Sequence, residues 1–215
     1  LLPIKKDASK QTNNQDFYFC FPATPLKKTI KNIHYKFYCF YLIFALMQKS
    51  ILAAGKILIS MPSLDESIFE KTVVFITEHN EKGAMGFIIN KIFPRTLNEL
   101  IEFKDAKSFP LYNGGPVERE HLYFLHQRPD LIEGGIAITD TTYIGGNFKQ
   151  AITHLDNNMI TENDLKIFIG YCGWDPQQLE DEIEEGSWLV IDALSKIVFT
   201  SQAIPLWELI YESKE

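Results

Sequence analysis

Cysteine is scarce in this 215-residue chain: Cys20 and Cys39 lie before residue 47, and Cys172 stands alone after it. A single thiol rules out an intramolecular disulfide and a thiolate zinc site from Met47 onward. Three catalytic signatures are missing as well: HExxH, GxSxG, and a glycine-rich loop with a trailing lysine. Their absence removes helical zinc proteases, the nucleophile elbow of α/β-hydrolases and P-loop phosphate chemistry. Long apolar runs are also lacking, since the run at 37–46 (FYCFYLIFAL) has ten residues, and a spanning helix needs about 20. No internal repeat or low-complexity tract occurs.

Basic charge is short too, with 21 Lys and Arg against 28 Asp and Glu, a formal net charge of −7. Residues 1–46 hold seven lysines against Asp7 and Asp16, so the remainder carries 14 basic and 26 acidic groups, a balance of −12. Direct duplex DNA binding is therefore not expected, because neutralising phosphates supplies most non-specific affinity. The first 46 residues differ in other ways: they contain no glycine, ten Phe or Tyr, and 24 positions drawn from Phe, Tyr, Lys, Asn and Ile, the set that AT-rich codons specify. Met47 is the first methionine. The expected organisation is an N-terminal extension at 1–46, upstream or disordered sequence, followed by one globular domain at 47–215. A signal or membrane anchor at 37–46 is the rival reading; 36 residues precede that run and Met47-Gln48-Lys49 follow it, which is not the usual layout. A start at Met47 implies a cytoplasmic protein with no membrane association.

What remains is rich in short strands. Residues 57–61 and 72–77 are apolar, β-branched runs broken by Pro62, Ser63 and Asp65. Residues 78–83 (EHNEKG) turn the chain into 84–90, a hairpin signal because Asn and Gly tolerate positive φ. Thr96 with Glu99 three residues on reads as a capping box, which predicts a helix carrying Leu97, Leu100 and Ile101. Gly114-Gly115-Pro116 marks a bend before a strand at 121–127 whose continuous apolar character implies cover on both faces. Residues 139–143 and Gly145-Gly146 lead into a helix near 148–155, 166–171 is another buried strand, and 187–192 is expected to pair with 197–200. Asp175 is placed as a helix cap, with Pro176 at the first helical position and Leu179 and Ile183 facing inward. The acids Glu180, Asp181 and Glu182 then favour the positive end of that helix. The pattern predicts an α+β single domain: a mostly antiparallel, barrel-like sheet flanked by three to four helices.

Three motifs occur in order, EHNEKGAMGFIIN (78–90), YNGGPV (112–117) and GYCGWDPQQLEDEI (170–183). On these the sequence resembles the AlgH family, also called YqgE-like proteins, over about residues 52–209. The resemblance implies a bacterial cytosolic protein of complex α+β fold; some family members are labelled transcriptional regulators, and no biochemical activity comes with the name. The chain departs from the family pattern, which usually has a small residue such as alanine at Cys172, glycine at Gln177, arginine at Lys71 and proline at Ile92. A cysteine where relatives do without one is not their shared nucleophile, so Cys172 is expected to pack as a small hydrophobe.

Four histidines follow Met47: His79, His121, His126 and His154. His121 and His126 are five apart in one strand and point to opposite faces, so no metal site is expected, and no cofactor. The Gly-Gly pairs at 114, 134 and 145 read as turns rather than phosphate cradles. One cluster remains as a ligand or partner cleft: Glu78, His79, Asn90, Gly114, Gly115, Tyr171, Trp174 and Glu180, provided the GYCGW bend folds over the hairpin. Alternatively His79 and Asn90 satisfy loop backbone and Trp174 fills the core. The functional expectation is an interaction or regulatory protein with a small-molecule pocket, acting on transcription indirectly if at all and using no catalytic residue. The alternative is an enzyme using Glu78 or His79 as acid or base.

Overall fold

The computed structural model describes residues 51–193, 195–200 and 205–211, all within one compact unit. The extension anticipated at residues 1–46 lies outside the described residues. The described chain is α+β as expected: a mostly antiparallel sheet curls into a half-barrel and carries four helices. Along the sheet the order is β10 (Trp188–Asp192), β1 (Lys56–Ser60), β2 (Val73–Asn80), β3 (Gly83–Ile88), β9 (Leu165–Trp174), β6 (Val117–His126), β8 (Tyr143–Ile144) and β7 (Ile136–Ala137). To the side, β4 (Ile92–Thr96) pairs with β5 (Pro110–Asn113), and β5 runs parallel to β9. The helices are α1 (Phe148–Asp156), α2 (Gln178–Glu184), α3 (Ser195–Val198) and α4 (Leu206–Tyr211).

The apolar runs of β1 and β2 are continuous because both faces of the sheet are covered. Ile57, Ile59, Phe75 and Phe87 face one cluster closed by Val198, Leu206 and Trp207. Leu58, Val74, Ile76 and Ile88 face the other side, where Trp174, Leu179 and Trp188 pack. A further cluster joins Leu155 of α1 to Leu165, Ile167 and Ile169 of β9 and to Leu97 and Phe109.

Central strand β9 changes parity in mid-course. Leu165, Ile167 and Ile169 share one face, yet beyond Gly170 it is the even residues Cys172 and Trp174 that enter the core cluster against α2. Gly170 makes the switch at φ +67°, where an added Cβ would lie 2.6 Å from the Val117 carbonyl oxygen. Only glycine fits that backbone. The consequence is that Tyr171 emerges on the face opposite α2.

Three local expectations are corrected. The capping box exists, with the Glu99 carboxylate accepting from the Thr96 N–H at 2.6 Å, but it opens two 3-10 turns, Leu97–Glu99 and Ile101–Phe103, instead of an α-helix. Leu97, Leu100, Phe103 and Ala106 all join one cluster; an apolar period of three suits i to i+3 hydrogen bonding. Residues 197–200 do not pair with β10, whose partner is β1; 195–198 are helical. The helix after Asp175 starts at Gln178, since Gln177 sits at φ +68° and the Gln178 side chain accepts from the Asp175 N–H at 3.0 Å. The segment that leads into α1 holds a turn at 139–142 between β7 and β8, tied by Thr139 Oγ1 accepting from the Thr142 N–H at 3.1 Å.

Candidate functional site

Asn80 and Gly83 close the β2–β3 hairpin around a two-residue loop. Asn80 shapes that turn through both ends of its amide, accepting from the Lys82 N–H at 2.7 Å and donating to Glu78 Oε1 at 2.6 Å. The ladder slips between Ile76 and Glu78, leaving Thr77 as the extra residue of a β-bulge. Past a bulge the side chains exchange faces. Glu78 thus stands in register with Met85 and, across β3, with Gly173, while His79 stands with Ala84 and Trp174.

These two rows have different fates. The Glu78, Met85, Gly173 row floors an open cleft of about 400 Å³, lined also by Asn80, Lys82, Val117, Tyr171, Asp175 and Gln178. That volume lies at the small end of ligand sites. Tyr171 is braced edge-on by Tyr123, with ring centroids 5.5 Å apart, and the Tyr123 hydroxyl donates to Glu118. Burial and that carboxylate push the Tyr123 phenol up from its usual range. Glu118 itself has φ +49° and begins a bulge in β6, where 118–121 lie between the pairs Val117 with Tyr171 and Leu122 with Ile169.

The second row faces α2. His79 Nε2 meets Glu180 Oε1 at 2.6 Å, and this hydrogen bond holds the Glu180 carboxyl below its usual range. Glu182 fixes the helix more deeply: its Oε2 accepts from the indole N–H groups of Trp174 at 3.0 Å and Trp188 at 2.7 Å, and its Oε1 from the Gln178 amide at 3.0 Å.

Of the residues singled out in the sequence, Glu78, Tyr171 and Trp174 line the cleft. His79 and Glu180 meet each other on the opposite side of the sheet. Asn90 lies past the far end of β3, accepting from the Val73 N–H at 2.8 Å and donating to the Lys71 carbonyl at 2.9 Å, where Lys71 holds φ +50°. Gly114 and Gly115 sit where backbones touch; an added Cβ would come within 2.2 Å of the Gly170 oxygen and of the Tyr171 carbonyl, respectively. Cys172 is buried, donates to the Gly114 carbonyl at 3.4 Å, and has its thiol pushed up by burial. Met85, Lys82, Gly173 and Asp175 were not singled out as cleft residues, although EHNEKGAMGFIIN and GYCGWD carry them. Their shared face follows from the Thr77 bulge and the Gly170 switch, which neither motif announces.

No group of three or more His, Cys, Asp or Glu able to hold a metal occurs among the described residues. None of their helices is long and apolar enough to cross a membrane.

The architecture recurs in solved structures. A crystal structure of a Corynebacterium diphtheriae protein aligns with a TM-score of 0.61 at 22% identity, over 80% of this chain and 96% of that one. The solution structure of the AlgH protein from Pseudomonas aeruginosa aligns with a TM-score of 0.60 at 27% identity, over 78% and 92%. Curated relatives named UPF0301 protein include one from Chlorobium limicola, 40% identical over 164 residues, 76% of this chain and 87% of that protein. Another, from Bacteroides thetaiotaomicron, is 35% identical over 172 residues, 79% of this chain and 87% of its own length. The AlgH-like family model matches residues 57–215, a span that includes all three motifs and the whole cleft, and the chain belongs to that family.

Proposed function

We propose that the protein is a regulatory binding module that acts by occupancy of the cleft between the β2–β3 hairpin, Tyr171 and the entry to α2. The observation that carries this is the convergence of apolar and polar groups at one place, Met85, Val117 and Tyr171 with Glu78, Lys82, Asp175 and Gln178. A largely preformed hollow with a few convergent polar groups is what small-molecule sites look like. Occupancy is favoured over turnover because acid–base work needs groups converging on one reacting atom. Here the Glu78 carboxylate and the His79 imidazole belong to rows on opposite faces, and His79 is engaged by Glu180. An effect on transcription would be indirect, through a partner protein that senses the occupied cleft. A cytoplasmic location accords with this role.

Gly173 offers the test. Its backbone is not in the left-handed region, and the nearest atoms a Cβ there would meet are side-chain atoms, the Tyr171 ring at 3.2 Å, which must shift by a few tenths of an ångström, and Val117 at 3.9 Å. Gly173→Leu therefore fills the cleft from its floor. In ¹H–¹⁵N spectra recorded with a deproteinised extract of the source cells, signals of Gly83, Met85 and the residues around Tyr171 should shift in the wild type and stay put in Gly173→Leu. Shifts that survive the plug, or that map to another face, would remove the cleft from the account.

A further inference from the structure

Two carboxylates and one ammonium line the cleft, and the geometry points to a small organic cation, an ammonium or guanidinium carried on an apolar body, as its ligand. This rests on the cleft being the functional site. Glu78 and Asp175 have no cationic partner among the described residues. The Asn80 amide binds Glu78 Oε1 at 2.6 Å and so orients the carboxylate without neutralising it. Its other oxygen remains available to a donor, and Asp175 uses its backbone rather than its carboxylate to meet Gln178.

The surroundings reinforce that sign. Glu118 and Glu120 stand on the bulge next to Val117, with Arg119 between them and His121 within 3.6–3.7 Å of both. Helix α2 brings Asp181 and Glu182, besides the His79-bound Glu180, behind Trp174, so acids outnumber bases around the cleft. The excess of acids over bases after residue 46 extends the negative field beyond the cleft, which raises the local concentration of cations. An anion gains little here: α2 is seven residues long and its first turn already carries Glu180 and Asp181, so its dipole is answered from within. Tyr171 and Met85 supply the apolar contact, and an aromatic wall beside carboxylates suits a cation that is only partly desolvated. Lys82 is the counter-signal at the rim, and it gives the inference a second sign to test.

The probes are three molecules of one shape, phenethylamine, phenethyl alcohol and phenylacetate, titrated into the full chain at pH 7 and read by calorimetry and ¹H–¹⁵N spectra. Phenethylammonium should bind about tenfold or more tighter than the other two, with shifts at Gly173 and Met85, and binding should weaken with salt. Glu78→Gln and Asp175→Asn should each loosen it severalfold. Lys82→Ala, by removing a like charge, should tighten it. Phenylacetate or the alcohol binding as well as the amine, with the same cleft signals moving, would overturn the cation and leave the cleft standing. No movement of cleft signals by any probe would overturn the cation. If the plug-sensitive extract shifts were also absent, the cleft would fall with it.

Discussion

Lys166 is an amine held in the core. It is buried, donates to the Ile89 carbonyl at 2.8 Å and lies 4.2 Å from the centre of the Tyr112 ring. Desolvation, offset in part by Glu162, lowers its pKa to about 7. The folded state therefore favours the neutral amine. From pH 7 up to the ordinary lysine range the unfolded chain holds the extra proton, so stability rises with pH across that window; below pH 7 the full penalty applies. Chemical denaturation between pH 7 and 9.5 should show the wild type gaining up to about 1.4 kcal/mol per pH unit relative to Lys166→Met. Parallel curves for the two proteins would mean that the amine titrates normally. Gln177 makes a second residue-scale test, because at φ +68° it occupies backbone that glycine adopts without strain. Gln177→Gly should raise stability by about 0.5–1 kcal/mol, strain relief exceeding the entropy added to the unfolded chain. A lower denaturation midpoint would contradict this.

Helix α2 shows how an element of two turns is held against a sheet. Leu179 is fully buried and Ile183 packs beside it, but the orientation is set by Glu182 beneath Trp174 and Trp188. Glu182→Gln turns an acceptor of two indole protons into a group that can present its own N–H to one of them. The expected loss is about 1–3 kcal/mol, read from the denaturation midpoint followed by tryptophan fluorescence. An unchanged midpoint would show that the indoles find other acceptors. The acidic helix was legible in the sequence from Asp175, Pro176 and the Leu179–Ile183 spacing; its late start was not, because glutamine itself does not mark left-handed backbone, and the glycine of the family pattern at that position was noted only as a departure. The same holds for the hairpin. EHNEKG announces the turn, while the Thr77 bulge, which decides whether Glu78 or His79 faces the cleft, depends on partners in β3 that a single strand does not reveal.

Across the whole molecule, the fold class and the motif regions were readable because alternation, turn chemistry and capping agree with one another. The two short strands β4 and β5 were not, since Pro94 in β4 argues against a central strand and edge pairing depends on distant neighbours. The charge balance has its own consequence at this scale: the full chain should show no salt-sensitive, sub-micromolar affinity for a random DNA duplex, and such binding would contradict an indirect role in transcription. Neighbouring residues separate the remaining alternatives, for Cys172 points into the core and Gly173 into the cleft. Cys172→Ala removes a buried thiol at a cost on the order of 1 kcal/mol, whereas Gly173→Leu fills the cleft against the Tyr171 ring. The most direct measurement is complementation of a strain lacking this gene, with folding of each variant checked by its denaturation midpoint. Binding in the cleft predicts that Cys172→Ala restores the wild-type phenotype and that folded Gly173→Leu does not; a folded but inactive Cys172→Ala beside an active Gly173→Leu would contradict it.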